Sequence, residues 1–253
     1  MKFKPNHLII FGTLFFAQIT SSKVNAQPME KEILNETDAY TIDDLIGKSK
    51  PILTKGKDYR LLPEVATAFE KMRTDAKKAG FDICVISSYR NYAYQNGIWE
   101  KKFKANKTKG LSDIKNIEKI IEYSTIPGTS RHHWGTDLDI IDMTKGIPLD
   151  PLHEKHFNEG GQMRNFKLWL DENASKYGFY LVYTNDSKRK GFKYEPWHFT
   201  YKPISEKMLA EYQKLDLKNL LQQNKLMGSE SFTNEFIEKY KNENILDINT
   251  VLK

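Results

Sequence analysis

Six histidines punctuate the chain, at positions 7, 132, 133, 153, 156 and 198, and two of the segments that hold them are dense in groups able to bind metal or carry protons. The first reads Ser130-Arg131-His132-His133-Trp134-Gly135-Thr136-Asp137-Leu138-Asp139-Ile140, and the second Tyr194-Glu195-Pro196-Trp197-His198-Phe199-Thr200-Tyr201. A catalytic zinc ion takes three protein ligands from His and carboxylate side chains and keeps a fourth position open for water. His132 and Asp139 can supply two ligands from a loop that runs into a strand, with Gly135 permitting the turn, and His198 on a neighbouring strand supplies the third. Glu195, three residues before His198, is then placed to act as general base on the attacking water. Singly, these residues have ordinary readings: a histidine in an aromatic strand commonly satisfies a core position, and an aspartate at a strand end commonly caps a turn. Their joint pattern carries the metal reading. His153 and His156, with Glu154 between them, lie in a Pro- and Gly-flanked stretch without a third partner and are not expected to bind metal.

A third segment reads Ser87-Ser88-Tyr89-Arg90-Asn91-Tyr92-Ala93-Tyr94-Gln95. In this order the three segments resemble the zinc D-alanyl-D-alanine carboxypeptidases of the VanY type, within the wider hedgehog-like zinc peptidases. Their patterns are Ser-x-Tyr-Arg-x-x-x-x-Gln, then Ser-x-His-x-x-Gly-x-x-x-Asp, then Glu-Pro-Trp-His. The resemblance covers roughly residues 81–203. It implies zinc on His132, Asp139 and His198, with Glu195 moving the proton from water to the leaving amine. It further implies that Arg90 holds the carbonyl or the developing oxyanion, and that Ser88, Gln95 and Ser130 hydrogen-bond the substrate. Asp137 departs from the pattern, which commonly has a small residue there. On a strand it points the same way as Asp139, so it is expected to add negative charge to a neutral-to-acidic cleft built from Asp137, Asp139 and Glu195. His133 and Trp134 either line that cleft or pack behind it.

The elements that must place these groups are legible in the apolar spacing. Leu62, Val65, Ala66, Phe69, Met72 and Ala76 recur at helical spacing through Lys78. Phe81–Ile86 reads as a short buried strand, Asn91–Phe103 and 112–123 as helices, and Thr136–Ile141 as a strand with one polar face. Phe166–Tyr177 is helical, Phe179–Tyr183 and Tyr194–Tyr201 are strands, and Ser205–Leu226 is a surface helix with another short helix near 232–240. This order predicts an α+β fold in which a small antiparallel sheet carries the zinc site, flanked by helices. The division is expected as a leader at 1–26, an arm at 27–57, a zinc carboxypeptidase domain at 58–203 and a C-terminal helical extension at 204–253.

The chain has 253 residues, 39% hydrophobic and 28% charged, which excludes a disordered or fibrous class. Its net charge of +6 invites a nucleic-acid reading through Lys101-Lys102-Phe103-Lys104 and Lys188-Arg189-Lys190. Residues 1–26 weaken that reading. They combine Lys2 and Lys4, an apolar run from Leu8 to Ile19 and a Val24-Asn25-Ala26 ending, the pattern of a cleaved secretory signal. The segment holds three lysines and no acid, so the rest of the chain carries +3. The sole cysteine, Cys84, lies in an apolar run and reads as a small buried hydrophobe, with no internal disulfide possible. The expectation is a secreted or periplasmic monomer that lacks a membrane anchor after cleavage, binds no nucleic acid and hydrolyses the terminal D-Ala-D-Ala amide of peptidoglycan stem peptides with Zn2+. The alternatives are an L,D-carboxypeptidase or D,D-endopeptidase of peptidoglycan, or a non-catalytic metal-bearing wall-binding domain.

Overall fold

The computed structural model describes residues 40–253; the expected leader at 1–26 and residues 27–39 of the arm lie outside the described residues. Helix α1 (Ile42–Ile46) opens on a capping box in which the Thr41 hydroxyl accepts from Asp44 N while the Asp44 carboxylate accepts from Thr41 N. A tight hairpin of β1 (Thr54–Lys55) and β2 (Arg60–Leu61) follows, straddling the end of the expected arm at 27–57.

Helix α2 (Pro63–Lys78) starts with proline in its first turn, where the missing N–H has no helical partner to lose. It buries the expected Val65, Ala66, Phe69, Met72 and Ala76. Strand β3 (Ile83–Ser87), α3 (Tyr92–Lys107), α4 (Asp113–Ile120), β4 (Asp137–Asp142), α5 (Arg164–Asn173), β5 (Phe179–Leu181) and β6 (His198–Tyr201) complete the central part. The four longer-range strands form one antiparallel sheet in the order β3-β4-β6-β5. The expected strand over 194–201 is regular only from His198, because Pro196 has no N–H to donate and Glu195–Trp197 form a turn closed by His198 N donating to Glu195 O, with Trp197 O accepting from Ile140 N of β4.

Alternation along β4 sorts its side chains between two apolar layers. Leu138 and Ile140, with Phe199 of β6, join Phe69 and Met72 of α2 and Phe166 and Leu170 of α5 in one layer. Asp137 and Asp139 point the other way, Asp137 to Arg131 and Thr200 and Asp139 to His132 and His198. The sequence predicted a polar face here, and the structure buries it: all six residues of β4 are buried. Helices α6 (Lys202–Tyr212), α7 (Leu217–Gln223) and α8 (Asn234–Tyr240) form the C-terminal part. The single helix expected over 205–226 is two, because Asp216 caps a new helix by accepting from Asn219 N. Leu209, Tyr212, Leu221, Ile237 and Tyr240 of the tail share one hydrophobic cluster with Trp99, Phe103 and Ile117. Among the described residues no helix is long and apolar enough to cross a membrane.

Candidate metal centre and cleft

Sheet register places the ligand candidates. Asp139 lies directly opposite His198, and Asp137 opposite Thr200, so four polar side chains form two cross-strand pairs on the same face. On the other side of β4 the register with β3 shifts between Val85 and Ser87, a bulge of the kind that re-aims chain beside a site. His132 arrives on a 3-10 turn, Arg131–Trp134, that begins with the Ser130 hydroxyl accepting from His132 N. The turn ends on Gly135 at φ +69°, and a Cβ there would stand 3.2 Å from Leu53 and 3.3 Å from Leu62. Glycine is thus required by both backbone and space.

Ligand-capable atoms of His132, Asp139 and His198 all lie within 4.8 Å of one another, and the three residues are buried. His132 Nδ1–H donates to the Ser88 carbonyl at 2.8 Å, which leaves Nε2 as the lone-pair nitrogen. That Nε2 and Asp139 Oδ1 are buried and have no hydrogen-bond partner. Buried polar atoms are nearly always satisfied. Two orphans on a two-histidine, one-carboxylate set fit a bound divalent cation. Among the described residues this is the one such cluster; His153 and His156 gather no third ligand.

Glu195 is buried, with Oε2 3.0 Å from His198 Nδ1. Burial raises its pKa above the ordinary carboxylate range against the pull of His198. Burial also acts to lower His198, but hydrogen bonds to Asp137 and Glu195 outweigh it and push the imidazole up to about 10. Burial works to raise Asp137 too, yet Arg131 and His198 hold its carboxyl well below the ordinary value. His132 is lowered by burial and by Arg90 nearby.

These groups open onto a cavity of about 430 Å³. Of the residues singled out from the sequence, Arg90, Ser130, His132, Asp139, Glu195 and His198 line it. Two assigned residues do not. The Ser88 hydroxyl accepts from Arg60 N at 3.0 Å and faces a different groove, so Ser88 contributes its carbonyl to His132 rather than its side chain to a substrate. Gln95 is buried behind the wall, donating to Thr125 O and Oγ1 at 2.9 and 3.1 Å; Thr125 lines the cavity in its place. The motif spacing could not reveal which way either side chain turns.

The expected contribution of Asp137 to a neutral-to-acidic cleft is altered by a partner. Asp137 is not a loose charge: Arg131 Nε donates to its Oδ2 at 3.0 Å. The cavity wall carries Arg90, Lys102 and Arg131 as well as Asp139, Asp150, Glu154 and Glu195, so its charge is mixed. Lys102 Nζ donates to Ser124 Oγ, and burial, with Arg90 beside it, lowers its pKa. Nothing in the sequence singled out Lys102 from its basic run. His133 packs rather than lines: its Nδ1–H donates to Arg90 O at 2.6 Å and its Nε2 accepts from Gly128 N. Burial lowers it to about 3, so it stays neutral, and a Cβ on Gly47 would strike its ring at 2.4 Å. Trp134 Nε1 donates to Leu45 O. Arg189, from the second basic run, donates to the carbonyls of Asp247, Thr184 and Phe192 and serves the fold. Cys84 is half-buried with its thiol pushed up by burial, unlike an activated nucleophile.

Comparison with known proteins adds family context to this geometry. A D-alanyl-D-alanine carboxypeptidase of Enterococcus faecalis (strain ATCC 700802 / V583) is 29% identical over 165 residues, 65% of this chain and 55% of that protein. A Bacillus subtilis (strain 168) protein, YodJ, named for a proposed carboxypeptidase activity, is 30% identical over 155 residues, 61% of this chain and 50% of its own length. The chain thus spans about half the length of the curated relatives it matches. A solved structure of VanYB in complex with D-alanine-D-alanine superposes with a TM-score of 0.49 at 26% identity, covering 70% of this chain and 92% of that one. The family profile named VanY, D-alanyl-D-alanine carboxypeptidase, matches residues 58–204, which hold the three motifs, the four-stranded sheet and every cavity-lining group named above. On that match the chain belongs to the VanY family.

Proposed function

We propose that the chain is a zinc-dependent D,D-carboxypeptidase that removes the terminal D-alanine from peptidoglycan stem peptides outside the cytoplasm. The observation that carries this reading is the buried His132–Asp139–His198 set beside Glu195, opening on a cavity with free cationic groups. His132, Asp139 and His198 would hold the zinc. When bound, the ion acidifies water toward neutrality and polarises the scissile carbonyl.

The chain's own groups do the rest. Glu195 accepts the proton of the attacking water and returns it to the departing amine, which balances the hydrolysis without a covalent intermediate. Arg90, whose Nε is buried without a partner, faces the negative charge that develops on the carbonyl oxygen. Ser130 stands at the cavity wall to hydrogen-bond the peptide. An exopeptidase must also recognise a free carboxylate, and Lys102, like Arg90, is a cavity cation without an acidic partner: its Nζ is bonded to a hydroxyl. That feature favours a carboxypeptidase over an endopeptidase. Residues 58–203 carry the chemistry, and the secretory pattern of residues 1–26 supplies the route to the substrate.

The relatives support the reading, since the Enterococcus faecalis protein bears the name of this activity. The test is a peptide ending in D-Ala-D-Ala incubated with chelator-stripped protein, then with zinc restored. Release of D-alanine should vanish and return with one equivalent of zinc; release that persists in stripped protein contradicts the metal's part.

A further inference from the structure

Asp137 is fully buried and accepts four hydrogen bonds. His198 Nε2–H and Arg131 Nε donate to Oδ2, each at 3.0 Å, while Thr136 and Thr200 hydroxyls donate to Oδ1 at 2.7 and 2.6 Å. Arg131 is itself fixed, with Nη2 donating to Thr200 Oγ1 at 3.1 Å and its guanidinium lying 4.6 Å over the Trp134 ring. Arg131, Asp137 and Thr200 are at most 4% exposed. The arrangement joins the 3-10 turn, β4 and β6, the three segments that also supply the metal ligands.

A neutral imidazole has one N–H and one lone pair, and whichever nitrogen is held as donor decides which one can ligate. A carboxylate behind a ligating histidine fixes the ring and strengthens its basicity. In this fold both nitrogens of His198 stand 3.0 Å from a carboxylate, Nε2 from Asp137 behind the site and Nδ1 from Glu195 at the cavity, and Nδ1 is also the one facing Asp139 Oδ1 at 3.6 Å. We propose that Asp137, braced by Arg131 and Thr200, is a positioning residue that holds Nε2–H of His198 and thereby presents Nδ1 to the metal. Asp137 does not touch substrate, and Arg131 neutralises it, so the carboxylate orients His198 without adding net negative charge to the centre.

The inference rests on the metal reading of the site, and its test separates the two. Chelator-competition titration with zinc should show Asp137→Asn binding about 10–100-fold more weakly than the parent chain, the range typical of losing such a partner. Nitrogen-detected NMR of the zinc-loaded parent should show His198 protonated at Nε2 and ligating through Nδ1. If the parent chain binds no zinc, the metal reading fails before Asp137 is at issue. If zinc binds and folded Asp137→Asn holds it as tightly as the parent, the positioning role is overturned. Should that variant fail to fold, the NMR result on the parent still decides: ligation through Nε2 overturns the proposal, because Asp137 would then face a metal-bound nitrogen that has no proton to donate.

Discussion

Replacing Glu195 by Gln keeps a group of the same shape 3.0 Å from His198 but removes its ability to accept a proton. Turnover of a D-Ala-D-Ala peptide should fall about 10²–10⁴-fold, while zinc content, measured by atomic absorption, stays at one ion per chain. Full activity in Glu195→Gln would remove it as the base. Lys102 gives a second residue-scale expectation. Lys102→Met should raise KM for a substrate with a free terminal carboxylate and leave cleavage of the corresponding carboxamide unchanged. Arg90 and Glu195 are the charged groups that act on Lys102, and burial with Arg90 nearby puts its pKa below the ordinary lysine value. Its cation is therefore lost earlier than usual as pH rises, so KM for the carboxylate substrate should climb on the alkaline side. Lys102→Arg, which stays charged, should flatten that rise. The His132, Asp139, His198 and Glu195 constellation was legible because spacing within two short segments reports it. The partners of Asp137 were not, since Thr200 approaches it only through the pairing of β4 with β6.

Elements beyond the family match also shape the site. Tyr240 of α8 accepts from Ile126 N at 3.0 Å and shares a hydrogen bond with Thr129 Oγ1 at 2.8 Å, while Tyr212 of α6 donates to Gly128 O at 2.9 Å. The tail thereby clamps the chain that leads into Ser130 and His132. Tyr240→Phe leaves a buried N–H and hydroxyl short of a partner and should lower stability by about 1–3 kcal/mol, read by urea denaturation with an unchanged m-value. No loss would mean that the clamp is redundant. Sequence periodicity anticipated α2 and α3 within a few residues, because each has a stripe of large apolar side chains. It fused α6 and α7, because Leu215 keeps the apolar rhythm through a break that only the Asp216 cap imposes. It also gave β4 a polar face without revealing that this face is buried against His198 and Thr200 of β6, residues some sixty positions along the chain.

For the whole molecule, the ligands come from a 3-10 turn and two strands, so a bound ion ties together segments that otherwise meet through side-chain packing and sheet pairing. Binding to the folded state alone stabilises it, by about 2.7 kcal/mol at a free ion concentration 100 times Kd. For a chain of this size that corresponds to a rise in Tm of roughly 5–10 °C, visible by calorimetry on adding zinc to stripped protein. Asp139→Asn should blunt that rise, and an equal rise in this variant would remove Asp139 from the ligand set. The central claim concerns the bond cleaved, and mass spectrometry of defined muropeptides tests it most directly. Zinc-loaded protein incubated separately with pentapeptide, tetrapeptide and cross-linked dimer should convert the pentapeptide to tetrapeptide by loss of one D-alanine and leave the other two intact. Tetrapeptide trimmed to tripeptide, a dimer split at its cross-link, or an untouched pentapeptide would contradict it.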